Sequence, residues 1–113
     1  MSGLAGCLEG IKRANSPNLA GWVEGPLTKL KSGKRQVLIE NGKVICFIVG
    51  EEDIVLTKND VSSFECVAQS TQISEGNKIV SCNTYAVTLK NGEYGSFLIA
   101  VGKAGEFMML MKP

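Results

Sequence analysis

Residues 35–49 have the sequence RQVLIENGKVICFIV, in which Asn41-Gly42 separates two apolar runs. Asn and Gly both tolerate positive φ, which a type I′ turn requires at its two central positions, and the twist of that turn matches the twist of the strands it joins. The stretch therefore predicts an antiparallel hairpin. Asn91-Gly92 stands in the same setting between residues 79–90 and 94–101, which predicts a second hairpin with the same two-residue turn.

Shorter segments add further strands to these hairpins. Trp22 opens an irregular or bulged edge strand, because Gly25-Pro26 interrupts its apolar positions. Residues 54–57 are rich in β-branched side chains, which favours a short strand. Residues 61–68 alternate in polarity, and one face of this strand carries Phe64, Cys66 and Ala68. We therefore predict a mainly β fold, a small antiparallel β-barrel or sandwich of six to seven strands.

Helices are predicted at both ends of the chain. Residues 2–14 begin with Ser2, a residue type that caps helices, and their apolar side chains recur at helical spacing. The apolar positions are Leu4, Cys7, Leu8 and Ile11. We expect this short helix to lean on the sheet. Residues 102–113 fit either a final strand or a short helix, and the helix is favoured because Met and Leu prefer it.

Length and composition fit a single domain. The chain has 113 residues, of which 44% are hydrophobic and 20% charged, so it is long enough for one core and too apolar to be disordered. We assign residues 1–18 to an N-terminal helix and loop, 19–101 to a β-core and 102–113 to the C-terminal element. Within the core, residues 69–78 are polar and contain Gly, which predicts a mobile loop.

The sequence carries no pattern of export or of a membrane span. The longest apolar stretches are far shorter than the roughly 20 residues that cross a bilayer, and the first residues lack the pattern of a signal peptide. Four cysteines occur without a C-x-x-C pair, and Cys46, Cys66 and Cys82 lie in strand-like sequence. We expect a cytoplasmic protein with reduced, buried thiols, and a disulfide framework is the alternative.

Several segments resemble a pleckstrin-homology-like domain. Residues 21–24, the basic turn 29–35 and residues 37–44 are similar to the opening strands of that superfamily. Residues 54–57 and 60–65 resemble the short strand and the Asp-Ile-x-x-x-Glu step of its bacterial members and of the related GRAM domains. The resemblance covers about residues 21–111. It implies a partly open β-barrel or sandwich that is capped by a helix and serves as a binding scaffold without catalysis.

The residue types argue against an enzyme. The chain has no histidine, which removes the usual general base, the commonest metal ligand and the middle member of most nucleophilic triads. The cysteines are too widely scattered for a zinc site, and burial in strands would raise their pKa values above those of nucleophiles. The acidic run at residues 51–53 fits a solvated turn. We therefore predict no catalytic residue, no metal and no cofactor.

Two groups of residues are candidate binding sites. Four cations occur within seven residues, and lipid-binding members of the resembled family place basic residues in this first hairpin. These cations are Lys29, Lys31, Lys34 and Arg35. They would grip an anionic phosphate or lipid head group, or simply keep a hairpin tip soluble. The second group would either contact a partner or close the core, since Met and aromatic side chains suit both. It consists of Trp22, Phe107, Met108 and Met111.

We therefore expect a bacterial, non-catalytic binding or scaffold module that contacts protein or forms homo-oligomers through a sheet edge or the C-terminal segment. One alternative is a structural subunit of a larger particle, such as a phage or secretion assembly. The second alternative is binding of an anionic phosphate or lipid head group at a membrane surface, through the basic turn. The net charge of +1 argues against nucleic acid as a partner, and the sequence identifies no small-molecule substrate.

Overall fold

The computed structural model describes residues 17–25 and 34–113. These described residues form seven strands, a single turn of 3₁₀ helix at Lys58–Asp60, and one α-helix. The strands are β1 Leu19–Glu24, β2 Lys34–Glu40, β3 Lys43–Phe47, β4 Ile54–Leu56, β5 Val61–Glu75, β6 Lys78–Leu89 and β7 Tyr94–Ala100, and the helix is α1 Val101–Met111. The predicted mainly β fold, its strand number and the C-terminal helix are confirmed. The helix predicted at residues 2–14 lies outside the described residues.

All seven strands form one antiparallel sheet in the order β4-β3-β2-β1-β7-β6-β5. Two successive meanders, β1 to β4 and β5 to β7, are joined where β1 pairs with β7. The sheet does not close, because β4 and β5 are its terminal strands.

Strand β1 lies at the centre of the sheet, so the prediction of an edge strand is wrong. Its bulge between Leu19 and Gly21 agrees with the predicted irregularity. Gly21 allows the close approach of β7, since a Cβ atom at this position would collide with the carbonyl oxygen of Leu98. Gly25 marks where β1 ends, but it does not indicate whether β1 lies at the edge or at the centre of the sheet.

The first Asn-Gly turn is as predicted. Asn41 and Gly42 have φ values of 52° and 73°, and the flanking residues Glu40 and Lys43 are paired. Positive φ at both central positions is the requirement of a type I′ turn. This hairpin is therefore specified by two adjacent residues.

The second Asn-Gly pair also lies in a hairpin, but the predicted two-residue turn is wrong. The Gly92 amide donates to the Leu89 carbonyl at 2.9 Å, and the Leu89 amide donates to the Glu93 carbonyl at 2.7 Å, which closes a longer loop. Gly92 has positive φ but Asn91 does not. The reason is local, because Oδ1 of Asn91 accepts the Glu93 amide at 2.9 Å and this Asx turn replaces the type I′ geometry.

The prediction of a loop at residues 69–78 is also wrong. β5 continues to Glu75 and β6 begins at Lys78, so that a two-residue turn, Gly76-Asn77, joins them. Gly76 supplies the positive φ, 62°, that a type II′ turn requires at its first position. Polar residues form strands here because this part of the hairpin stands away from the core.

The core lies between the sheet and α1. Helix α1 contributes Ala104, Phe107 and Met111, which recur at helical spacing and are all buried. Phe107 contacts three aromatic rings with centroid distances between 5.2 and 5.9 Å. These rings belong to Phe64, Tyr85 and Phe97. The helix therefore closes the core with its three buried side chains, and Phe107 makes the contacts with the aromatic rings.

Candidate functional site

The β5–β6 hairpin extends beyond the rest of the sheet. Strand β7 pairs with β6 only over residues 82–88, whereas β5 and β6 remain paired as far as Glu75 and Lys78. Residues 71–81 therefore form a two-stranded arm. Ile79 on this arm is 70% exposed. An exposed aliphatic side chain on an isolated ribbon contributes little to folding and is available for contact with another molecule.

The outer side of β5 is the longest uncovered strand edge in the described part of the chain. β5 has 15 residues and, among the strands of residues 17–25 and 34–113, pairs only with β6. Its first two thirds are irregular, with bulges between residues 61 and 71, and Ser70 has a φ of 51°. The Ser70 amide donates to Oδ1 of Asn83 at 2.9 Å, so its hydrogen-bonding capacity is satisfied within the hairpin. Bulges of this kind hinder pairing with a further strand.

The last five residues of β5 lack such protection. Residues 71–75 pair with β6 in unbroken register. No Lys, Arg or Pro occurs anywhere in β5, although these residue types commonly guard strand edges. Val67, just before the regular part, is 54% exposed. This end of β5, called the β5 edge below and comprising residues 71–75, offers backbone donors and acceptors next to the exposed apolar side chain of Val67.

Only two of the four cations of the predicted basic turn, Lys34 and Arg35, lie among the described residues. Lys34 is exposed, and its Nζ atom lies 5.4 Å from the centroid of the Trp22 ring. Arg35, in contrast, is buried, with 5% of its surface exposed. Its Nη1 donates to the Glu52 carbonyl at 2.8 Å. Adjacent residues of a strand point to opposite faces. The structure therefore does not bring these two cations together.

The second group of predicted site residues is mostly buried. Phe107 and Met111 belong to the core, and Trp22 is 8% exposed. Met108 is 38% exposed and is followed by Met109, which is 66% exposed. Of the two roles considered for this group, core closure is the one that Phe107 and Met111 perform in the fold.

The cysteines divide into two environments. Cys46 and Cys82 are buried as predicted, and burial raises the pKa of both thiols. Cys66 is exposed, so its predicted burial is wrong. A β-bulge between Cys66 and Ala68 changes the alternation of the strand at this point. In the described ranges, no three His, Cys, Asp or Glu side chains cluster in a way that could hold a metal ion.

A groove of about 340 Å³ lies between β4 and the turn that joins β6 to β7. Its polar residues include Asp60, whose Oδ2 accepts the Thr57 amide at 2.9 Å, and Glu93, whose Oε1 accepts from Nδ2 of Asn91 at 2.9 Å. These carboxylates cap the 3₁₀ turn and fix the hairpin loop. The groove is therefore explained by local structure.

The arm and the β5 edge were not predicted from the sequence. The available signal was Gly76-Asn77, because Gly-Asn between two extended segments is itself a two-residue hairpin pattern. The polar composition of residues 69–78 is typical of a loop, and it led to the prediction of a loop in place of this hairpin.

In residues 17–25 and 34–113, no helix has the length and hydropathy needed to cross a bilayer. Comparisons with known proteins find no matching family model, curated protein or solved structure.

Proposed function

We propose that this chain is a non-catalytic binding module of pleckstrin-homology-like type that associates with protein, in the first instance with a second copy of itself, through the β5 edge. The single observation that carries the proposal is that residues 71–75, the regular end of a 15-residue terminal strand, pair with β6 and with no other strand among the described residues. An edge of this kind binds an extended segment through main-chain hydrogen bonds, while side chains supply the specificity.

The order of elements supports the pleckstrin-homology-like part of the proposal. Two meanders of four and three strands are followed by a helix that packs on the core. The resemblance found in the sequence implies a partly open β-barrel or sandwich capped by a helix, and an open seven-stranded sheet with one C-terminal helix agrees with that expectation.

The two terminal strands differ in what they offer to a partner. β4 has three residues, so an added strand would form few hydrogen bonds with it. β5 is five times as long, and its final residues are unbulged. Two copies could pair antiparallel through their β5 edges about a twofold axis, which is the commonest symmetry of homo-oligomers. Self-association through β5 is therefore the version of the proposal to test first.

Light scattering coupled to size exclusion tests this proposal across a range of concentrations. We expect a mass above that of the 12.1 kDa monomer that increases with concentration. Val67→Lys should lower the association by placing a charge directly beside the β5 edge. Val55→Lys is the matched control, because Val55 is 47% exposed and lies on the terminal strand at the other end of the sheet.

The possible results distinguish self-association through the β5 edge from the structural-subunit alternative. A monomer at every concentration would contradict self-association, as would equal effects of the two lysine variants. A large particle of defined mass that Val67→Lys dissociates would favour the structural-subunit alternative over an isolated dimer. Ser74→Lys, in the regular part of β5, should act in the same direction as Val67→Lys.

The proposed phosphate or lipid binding through the basic turn receives less support. Arg35 is buried and bonded to a backbone carbonyl, which leaves Lys34 as the exposed cation of that group within the described ranges. A test on anionic vesicles should therefore use Lys31→Gln and Lys34→Gln, since a change at Arg35 would disturb the fold as well.

A further inference from the structure

The turn between β5 and β6 determines where the backbone groups of the β5 edge point. Glu75 and Lys78 are paired, and only Gly76 and Asn77 lie between them. Paired residues of antiparallel strands either exchange both backbone hydrogen bonds or leave the exchange to their neighbours. The second pattern would need a hydrogen bond between Gly76 and Asn77, which adjacent residues cannot form. Residue 75 therefore directs its N–H and C=O groups toward β6.

This direction alternates along the regular end of β5, because successive residues of a strand turn their backbone groups to opposite sides. Residues 71, 73 and 75 therefore bond to β6. The backbone groups of Gln72 and Ser74 lie on the outer side, where no strand of the described ranges pairs with β5. A partner strand can therefore bond to the β5 edge at Gln72 and at Ser74.

Local structure limits the β5 edge at both of its ends. The Ser70 amide already donates to Oδ1 of Asn83, and its φ of 51° departs from extended backbone. Gly76 begins the turn that reverses the chain. A partner strand that extended past either end would find no regular backbone to pair with. The edge therefore fits a partner segment as long as itself, which is residues 71–75 of a second copy.

Twofold symmetry leaves one register in which the whole edge is used. In an antiparallel pair an outward residue must face an outward residue of the partner, so the axis passes through a residue position. With the axis at Gln72, Ser74 would face Ser70 of the second copy. With the axis at Ser74, Gln72 would face Gly76. With the axis at Ile73, Gln72 faces Ser74 on both sides, and each of these pairs exchanges two hydrogen bonds.

The apolar side chains of the arm favour the same register. Ile73 is paired with Val80 of β6, and both are half-buried. With the axis at Ile73, these two side chains and their copies form one apolar row across the joined strands. Residues in register on antiparallel strands project from the same face and pack together. An axis at Gln72 or at Ser74 would instead place Ile73 opposite a threonine or a glutamate.

We propose that Ile73 lies on the twofold axis of a dimer and selects the β5 edge of a second copy in this one register. The assignment rests on the self-association proposed above and specifies which residues face each other. Residue 73 has its hydrogen bonds on the β6 side, so the two facing Cα atoms lie about 4.5 Å apart. The two seven-stranded sheets then join into one continuous sheet.

Charge exchange at Ile73 tests this register by light scattering. Ile73→Lys and Ile73→Glu should each raise the dissociation constant about tenfold or more, because like charges would stand directly opposite each other. Their equimolar mixture should associate as a heterodimer, since opposite charges then face each other. A mixture that associates no more than its separate components would overturn the register. Ile73 is not part of the main core, so both variants should fold.

A single cysteine at the axis tests the same register by covalent linkage. Cys7 and Cys66 are replaced by Ser in every variant, because Cys66 is exposed whereas Cys46 and Cys82 are buried. Ile73→Cys should form a disulfide-linked dimer on oxidation by copper phenanthroline, since Cα atoms about 4.5 Å apart lie within the range of a disulfide. Non-reducing gel electrophoresis measures the rate of linkage.

Gln72→Cys and Ser74→Cys are the matched controls. Each residue lies one position from the axis, so its Cα atom is displaced from that of its own copy by about 6.8 Å along the strand and about 4.8 Å between strands. The resulting distance is about 8 Å, and a disulfide spans at most about 7 Å. We expect both controls to link at least about tenfold more slowly than Ile73→Cys.

Light scattering of the same samples separates this proposal from the one on which it rests. A dimer in which Ile73→Cys does not link, or links no faster than the two controls, would overturn the register and leave association through the β5 edge standing. A monomer at every concentration would overturn both proposals. A dimer that links at Ile73→Cys and not at the controls is the expected result.

Discussion

Nη1 of Arg35 donates a 2.8 Å hydrogen bond to the carbonyl oxygen of Glu52. This bond joins the beginning of β2 to the turn between β3 and β4, 17 positions further along the chain. Arg35 is the one charged side chain that is buried in the described ranges. Arg35, which was predicted from the sequence to bind an anionic group, is thus buried and bonded within the fold.

Replacing Arg35 with Ala should lower the free energy of unfolding by about 2 kcal/mol, because the hydrogen bond from its buried, charged guanidinium to the Glu52 carbonyl is lost. Urea denaturation measures this change. Lys34→Ala, at the adjacent exposed position, should lower it by only about 0.5 kcal/mol through loss of the contact with the Trp22 ring. Equal losses in the two variants would contradict the internal role of Arg35.

The same Gly→Ala substitution should have opposite effects at two positions. Gly42 has a φ of 73° in the type I′ turn, where a Cβ atom is strained, so Gly42→Ala should destabilise the protein by about 1 kcal/mol. Gly105 lies inside α1 with open space around it, and Gly105→Ala should stabilise by about 0.5–1 kcal/mol because Ala loses less backbone entropy. Thermal unfolding of both variants measures the sign of each change in stability. Changes of the same sign in the two variants would contradict this account.

The aromatic cluster predicts a large loss at one position of α1. Phe107 is fully buried against three rings, so Phe107→Ala should remove about 3–5 kcal/mol of stability through lost transfer energy and cavity formation. Met109 lies two positions away and is 66% exposed. Met109→Ala should change stability by less than about 0.5 kcal/mol. A small loss at Phe107 in chemical denaturation would show that α1 does not close the core.

Local signals in the sequence were sufficient for the elements that depend on adjacent residues. Asn41-Gly42 specifies its turn because both positions require the same unusual φ. The second Asn-Gly pair has the same residues but a different turn, since Asn91 bonds to the backbone of Glu93 instead. The hairpin could be predicted in both cases, but the turn geometry depends on a side-chain hydrogen bond that the residue pair does not reveal.

Most of the features that could not be predicted from the sequence depend on pairing between residues that are far apart in the chain. The central position of β1 depends on the pairing of Gly21 with Ile99, residues far apart in the chain. The exposure of Cys66 follows from a bulge that alternation does not show. The burial of Arg35 did have a signal, because it alternates with Val37 and Ile39 on the core face of β2. The cluster of cations at residues 29–35 instead favours an exposed basic turn, which is the opposite of what this alternation indicates.

The Cys46 thiol predicts a dependence of stability on alkaline pH. Burial raises the pKa of Cys46 to about 12, with the Arg35 guanidinium opposing this shift and the Asp53 carboxylate reinforcing it. The unfolded chain ionises a cysteine near pH 8.5, at about the ordinary value. The folded state therefore favours the protonated thiol, and the stability that it contributes is present below about pH 8.5 and is lost as the pH rises toward 12.

Comparison with Cys46→Ala isolates this contribution, because the lysine and tyrosine titrations are common to both proteins. The difference in unfolding free energy between wild type and variant should be constant below about pH 8 and should then change by at most about 1.4 kcal/mol per pH unit. The wild type should lose stability faster than the variant over this range, since only the wild type must keep a thiol protonated in its core. Urea denaturation at closely spaced pH values measures both curves. Curves that remain parallel up to pH 11 would mean that Cys46 ionises in the folded protein as readily as in the unfolded chain, which its complete burial between Val37 and Ile54 does not allow.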